Sequence, residues 1–257
     1  MTEPVRQGKA ALITGGARRI GRAIAGALAE DGWDVAVHYR SSREDAESLV
    51  RELRARAVQA MAIHCDLEDP SAVAELVPQC VRTLGPLSLL VNNASLFEYD
   101  DIASFDPALW DRHSAVNLRA PMMLSQALQK QLPDGVPGCI LNMLDQKIFN
   151  LNPDFLSYTV TRMGLEGATR VLAMAMAPRV RVCGIAPGLT LPPESLSEED
   201  FRRAHRLAPL GRSSGVEDIV DAVRYLVNAK AVTGVTIAVD GGQHLLPLKR
   251  DIQFEVQ

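Results

Sequence analysis

The stretch AALITGGARRIG, residues 10–21, decides the fold of this chain. A short apolar run over 10–14 reads as a strand, and Gly15 and Gly16 end it in a tight turn. A helical pattern over 20–30 follows at once. Glycine at such a turn lets backbone approach a pyrophosphate, while the helix N-terminus offers amide donors and the positive end of its dipole. The same residues also suit a plain strand-to-helix turn, but their place on the first strand, opening a helix, favours a dinucleotide site.

Outward from this unit the rhythm repeats. Strands are predicted at 10–14, 34–38, 58–64, 87–92, 138–143, 180–185 and 236–239, with helices at 20–30, 44–55, 71–84, 109–131, 155–177 and 216–228. Continuously apolar strands separated by helices indicate a parallel sheet covered on both faces. Right-handed crossovers then make a doubly wound, Rossmann-type α/β fold of about seven strands. No linker, repeat or break in composition divides residues 1–257, so one domain is expected. Only PGLTLPPESLSEEDFRRAHRLAPLGRSSG, residues 187–215, breaks the pattern, with at most a short helix over 198–206. A long polar insertion after the sixth strand is expected to shape a ligand site.

Composition bounds the function. The 257 residues are 47% hydrophobic and 23% charged, with a net charge of −4, which gives no basis for a nucleic-acid or anionic-membrane partner. MTEPVRQGK at the start has no apolar leader segment, and no run is long enough to span a bilayer. Cys65, Cys80, Cys139 and Cys183 are far apart, with no metal-ligand spacing, and read as free thiols of a cytoplasmic protein.

With Thr14-Gly15-Gly16-Ala17-Arg18-Arg19-Ile20-Gly21 in view, the sequence resembles the short-chain dehydrogenase/reductase family and its TGxxxGxG fingerprint. Asp66-Leu67, Asn92-Asn93-Ala94, Asn117, Tyr158, Pro187-Gly188 and Asp240-Gly241-Gly242 follow in the family's order over nearly the whole chain. The resemblance implies a cofactor site of Gly15, Arg18, Arg19, Ile20, Gly21, Asp66, Leu67, Asn93, Ala94 and Ser95, with Asp66 at the adenine and Asn93 beside its ribose. The turn Pro187, Gly188, Leu189, Thr190 would hold the nicotinamide amide. Asp66 as a helix cap and Pro-Gly as a simple turn are the plainer readings. The second strand ends His38-Tyr39-Arg40-Ser41-Ser42-Arg43, without the carboxylate an NAD site uses. Arg40 and Ser41, with Arg18 or Arg19, suit the 2′-phosphate of NADP(H). Ser42 is expected to cap the next helix, given Asp45 three residues on.

Family enzymes pair a Ser, a Tyr and a Lys in the spacing Ser-x12-Tyr-x3-Lys, supported by a helical Asn. Here Tyr158 and Asn117 match, Asp145 stands at the Ser position and Arg162 at the Lys position. Asp145, Arg19 and Asn93-Ala94-Ser95-Leu96-Phe97 make the chain similar to the pteridine reductases and dihydromonapterin reductases. That likeness implies Phe97 stacking on a pterin, with Ser95 and Arg19 at the pterin edge or the cofactor phosphates. A carboxylate beside Tyr158 raises the phenol's pKa and suits a proton donor. Phe97 as a core aromatic and Asp145 as a cap for backbone amides are the plainer alternatives. Arginine keeps the positive charge but cannot relay a proton, and it can pair with Asp145.

The expectation is an NADPH-dependent reductase of a dihydropterin or similar bicyclic heterocycle, with Tyr158 as proton donor. The alternatives are a 3-oxoacyl or ketone reductase and a low-activity NADP-binding sensor. Small residues on the 155–177 helix (Ala168, Ala173, Ala175, Ala177) suit subunit packing, and the family implies a homotetramer.

Overall fold

The computed structural model describes residues 9–193 and 196–255. Outside that range fall residues 1–8 of the stretch read for a leader, Glu194 and Ser195 of the 187–215 loop, and the last two residues.

Seven strands form one sheet: β1 Ala10–Ile13, β2 Asp34–Tyr39, β3 Ala60–His64, β4 Leu89–Asn92, β5 Gly138–Met143, β6 Val180–Pro187 and β7 Thr236–Val239. Their order is β3-β2-β1-β4-β5-β6-β7, and every pairing is parallel. β1 lies between β2 and β4, with Ile13 level with both Val37 and Val91. The strand order reverses there, and a crevice opens beyond the carboxyl ends.

Successive side chains point to opposite faces of a strand. Ala11 and Ile13 therefore join the core on one face, under α1 Arg19–Glu30, α2 Arg43–Arg54 and α8 Val216–Asn228. Ala10 and Leu12 join the other, under α3 Pro70–Leu84, α5 Ala120–Gln131 and α6 Leu156–Met176. The doubly wound architecture expected from the apolar strands is the one observed.

Three local expectations are corrected. The single helix over 109–131 is three pieces: α4 Pro107–Ser114, a π-helical turn Ala115–Arg119, and α5. Pro121 has no N–H for the carbonyl of Asn117 four residues back, and the wider turn resolves this while facing Asn117 inward. Ser42 flanks α2 but its side chain makes no capping bond. Asp66 caps no helix: it accepts from the Glu68 amide, and Asp69 caps α3 through the Ser71 amide. Of the alanines read for subunit packing, Ala173 is buried against the sheet and Ala168 half-buried, while Ala175 and Ala177 are exposed, as are Val160, Met163, Val171 and Met174 of α6.

The 187–215 stretch holds α7 Glu198–Leu207. Leu196 and Ala204 pack on Ile252, at the start of the last helix, α9 Ile252–Glu255. The four cysteines are buried free thiols. Among the described residues no His/Cys/Asp/Glu group could hold a metal ion, and no helix is long and apolar enough to cross a membrane.

Candidate active site

The first half of the site is the turn after β1. Gly15 sits at φ 60°, a conformation that favours glycine, and a Cβ on Gly21 would lie 2.3 Å from the Gly15 carbonyl oxygen. Neighbouring loops hold this turn. Asn93 Nδ2 donates to the carbonyls of Thr14 (2.9 Å) and Gly15 (3.1 Å). Thr14 Oγ1 accepts from the amides of Asn93 and Ala94. His38, at the end of β2, accepts from the Gly15 amide at Nδ1 and donates from Nε2 to the Cys65 carbonyl, both at 2.9 Å. Burial pushes its pKa down to about 4, so the ring is neutral and its tautomer is set by these two bonds.

A cavity of about 440 Å³ lies against the turn, lined by Gly15, Arg18, Arg19, Ile20, Gly21, His38, Arg40, Asp66, Leu67, Asn93, Ala94 and Ser95. Two expected residues stay outside the lining: Tyr39 packs against His64, and Ser41 is exposed ahead of α2. Arg18 pairs with Asp45 at 2.5 Å, and Arg40 lies 3.5 Å from Glu68. Arg19, with φ 51°, reaches across to the carbonyls of Leu191 and Pro192.

A second cleft, of about 960 Å³, continues from the first and shares Arg19, Ile20, Asn93 and Ser95 with it. At its floor Tyr158 Oη donates to Asp145 Oδ2 at 2.8 Å. Asp145 Oδ1 also accepts from the Lys147 amide, so the capping role weighed for it coexists with the contact to Tyr158. Burial raises the Tyr158 pKa, Asp145's charge raises it further, and Arg162 opposes both. Burial likewise raises the Asp145 pKa.

Arg162 does not pair with Asp145. It is 3% exposed, donates from Nη1 to the Met143 carbonyl at 2.9 Å, and lies 5.2 Å from the Tyr158 ring centroid. Its buried Nε has no hydrogen-bond partner among the described residues. Asn117 exchanges two hydrogen bonds with the Leu96 backbone, at 2.9 and 3.0 Å, and lines neither cavity. It thereby anchors the segment that presents Phe97. Phe97 is no core residue: it is 43% exposed, stacks on Phe155 at 4.3 Å and meets Tyr158 edge-on at 4.7 Å. The turn Pro187, Gly188, Leu189, Thr190 forms the opposite wall. Gly188 is packed so closely that a Cβ would lie 2.5 Å from Ser213 Oγ.

Several residues of the cleft escaped sequence reasoning. Lys147, Phe155, Tyr99 and Gln243 line it, as do Arg250, Asp251 and Phe254 near the chain's end. Lys147 stands two residues past Asp145, but nothing local distinguishes it from a solvated lysine. The C-terminal residues carry no motif at all.

The residues present fit a dinucleotide. The glycine turn leaves room for a backbone-bound phosphate, β2 ends without a carboxylate, and the orphaned Arg162 Nε is a buried donor without an acceptor. Fold and site together define an oxidoreductase of the dinucleotide-binding kind on a Rossmann-type sheet. The chain belongs to the short-chain dehydrogenase/reductase family: residues 15–244 match the family model described as enoyl-(acyl carrier protein) reductase. A 3-oxoacyl-[acyl-carrier-protein] reductase of Staphylococcus aureus is 34% identical over 242 residues, covering 92% of this chain and 98% of that protein. Pteridine reductase 1 of Leishmania tarentolae is 31% identical over 280 residues, covering 91% and 96%. The crystal structure of FolM alternative dihydrofolate reductase 1 from Brucella canis, complexed with NADP, superposes with a TM-score of 0.88 at 44% identity, covering 93% and 95%. FolM alternative dihydrofolate reductase 1 from Brucella suis, at 43% identity and a TM-score of 0.88 over 95% of this chain and 98% of that one, is likewise a complex with NADP.

Proposed function

We propose that this enzyme reduces a dihydropterin or a similarly flat bicyclic heterocycle with NADPH. The observation that carries the reading is Tyr158 bonded to Asp145 beneath the half-exposed, edge-on ring of Phe97. An exposed aromatic face beside the proton donor suits a planar, electron-poor ring. The likeness to a pteridine reductase and to an alternative dihydrofolate reductase supports the same substrate class.

NADPH, when bound, supplies the hydride. The chain's own residues supply the proton and the alignment. With Asp145 ionised, Tyr158 directs its proton at the carboxylate. With Asp145 protonated, which its raised pKa favours, the carboxyl donates to Tyr158 Oη and frees the phenolic proton for the substrate. Arg162 lies close enough to the Tyr158 ring to stabilise the phenolate left behind, and its free Nε would donate to the nicotinamide ribose of a bound cofactor. Arg40 and Arg18 serve the 2′-phosphate by exchanging their exposed carboxylate partners for it. Asn117 acts through Leu96 and Phe97 as a positioning residue.

Reduction of a 3-oxoacyl thioester is the competing reading, favoured by the identity to the staphylococcal enzyme. It is disfavoured by Asp145, which stands where the family places a serine and is already engaged by the Tyr158 hydroxyl and the Lys147 amide. Incubating the protein with NADPH and 7,8-dihydrobiopterin, 7,8-dihydrofolate or acetoacetyl-CoA, read at the NADPH absorbance, decides between them. Turnover of the ring compounds is expected. Turnover of the thioester alone, or of nothing, overturns the reading. The exposed apolar side chains of α6 support self-association through this helix.

A further inference from the structure

Among the described residues, Lys147 is the largest fully buried side chain. A buried ammonium is unfavourable unless it is paired and hydrogen-bonded. Lys147 Nζ donates to Asp251 Oδ2 at 2.9 Å and lies 5.3 Å from the centroid of the Phe155 ring. Asp251 is tied further: its Oδ1 accepts from the Gln253 amide, and its own amide donates to Asp154 Oδ2 at 2.7 Å. Asp154, immediately before Phe155, also takes the guanidinium of Arg250. The C-terminal segment is thus clamped by charge on both sides of Asp251.

The same segment meets the cleft through its aromatic side. Phe254 stacks on Phe155 with ring planes 12° apart, and Tyr99 meets both rings edge-on. Phe155, whose backbone is left-handed at φ 54°, is the ring on which Phe97 stacks. Charge pair and aromatic cluster converge on Phe155, directly behind the platform proposed for the substrate. None of these side chains hydrogen-bonds to Tyr158 or Asp145, although the charge of Asp251 contributes to the raised Asp145 pKa.

We propose that the Lys147–Asp251 pair determines specificity: it fixes residues 250–254 as the outer wall of the cleft and, through Phe155, sets the plane of Phe97. The cleft then accepts a flat ring and excludes an extended acyl chain. Lys147 is a positioning residue in this scheme, which rests on the substrate reading given above.

The test replaces both charges at once, Lys147→Met with Asp251→Leu, so that neither is stranded. Asp251→Asn, which keeps an acceptor for the ammonium, serves if the double variant does not fold. Turnover and equilibrium binding to the NADP+ complex are measured with 7,8-dihydrobiopterin and with acetoacetyl-CoA, alongside the NADPH dissociation constant. The expected result is a KM for the ring raised about tenfold with kcat within about threefold, and a ring-to-thioester ratio of kcat/KM lowered about tenfold. NADPH affinity stays within about twofold, since the pair lies outside the cofactor cavity. An unchanged ratio in a folded variant overturns the inference, as does loss of NADPH affinity together with kcat. An unmutated protein that turns over only the thioester overturns the dihydropterin reading, and the pair is still judged by whether its removal lowers the thioester KM. An unmutated protein that binds neither probe overturns both.

Discussion

Tyr158 and Asp145 share a hydrogen bond of 2.8 Å, Oη to Oδ2, in a site that raises the pKa of both. The pairing keeps a proton available where a substrate ring would lie. Tyr158→Phe should lower turnover by about 10²–10⁴-fold, the usual worth of general acid assistance. NADPH binding, followed by fluorescence titration, should be nearly unaffected. Because the protonated form of Asp145 frees the phenolic proton, kcat should fall as pH rises through the raised Asp145 pKa. Asp145→Asn should flatten that limb.

Arg162→Ala should weaken NADPH binding and lower kcat together, since one side chain supplies both the charge near Tyr158 and the orphaned donor. Loss of the Met143 contact should also destabilise the fold by about 1–3 kcal/mol, read by urea unfolding. Arg162→Lys restores a group that can relay a proton. It should speed turnover wherever proton transfer limits the rate, and an unchanged kcat would show that it does not.

NADPH should bind at least about tenfold more tightly than NADH, the equivalent of one charge-assisted contact to the 2′-phosphate. Arg40→Ala should narrow that preference. Equal affinities for the two dinucleotides in the unmutated protein would count against Arg40 as the phosphate ligand.

Phe97 is 43% exposed, so truncating it opens no sealed cavity. Phe97→Ala should leave the melting temperature little changed and spare NADPH. Dihydropterin affinity should fall by about 0.5–1.5 kcal/mol, the worth of an aromatic stack. A large drop in melting temperature with unchanged ring affinity would assign Phe97 a packing role instead.

His38 links acid stability to the cofactor turn. Its folded pKa, about 4, lies below the ordinary histidine value of 6.5, so between these values the unfolded chain binds the additional proton. Stability therefore rises with pH across that window and is lost as pH falls through it, by about 3 kcal/mol in total. Below the window the protonated ring can no longer accept the Gly15 amide, and NADPH affinity should fall as well. His38→Gln should flatten the stability slope measured by denaturant unfolding between those pH values.

The residues that local chemistry dictates were legible in the sequence. Apolar runs buried on both faces need no partner to be recognised as strands, and the turn at Gly15 marks its own helix. All seven strands and the helical segments therefore fall where periodicity places them, within two residues, except across Asn117. There, Pro121 breaks a helix whose apolar spacing is uninterrupted, because the missing N–H leaves no trace in hydrophobic period. Tyr158, Asp145 and Arg162 could be named only because their spacing resembles the family's catalytic pattern. Whether Arg162 faced Asp145 or the Met143 carbonyl was settled only by the approach of β5 to α6. The expected cap at Ser42 failed for a similar reason, since burial and loop path decide where a hydroxyl points.

The wall of the substrate cleft lay wholly beyond sequence reasoning. Lys147 and Asp251 are 104 residues apart, and each alone reads as an ordinary surface charge. Only the chain's return across the carboxyl ends of β5 and β6 brings them together and removes water from between them. Local pattern specifies which elements form, because helices and strands are selected by contacts a few residues apart. Which distant charges meet, and in how dry a place, depends on the packing of those elements, and here that packing shapes the substrate cleft.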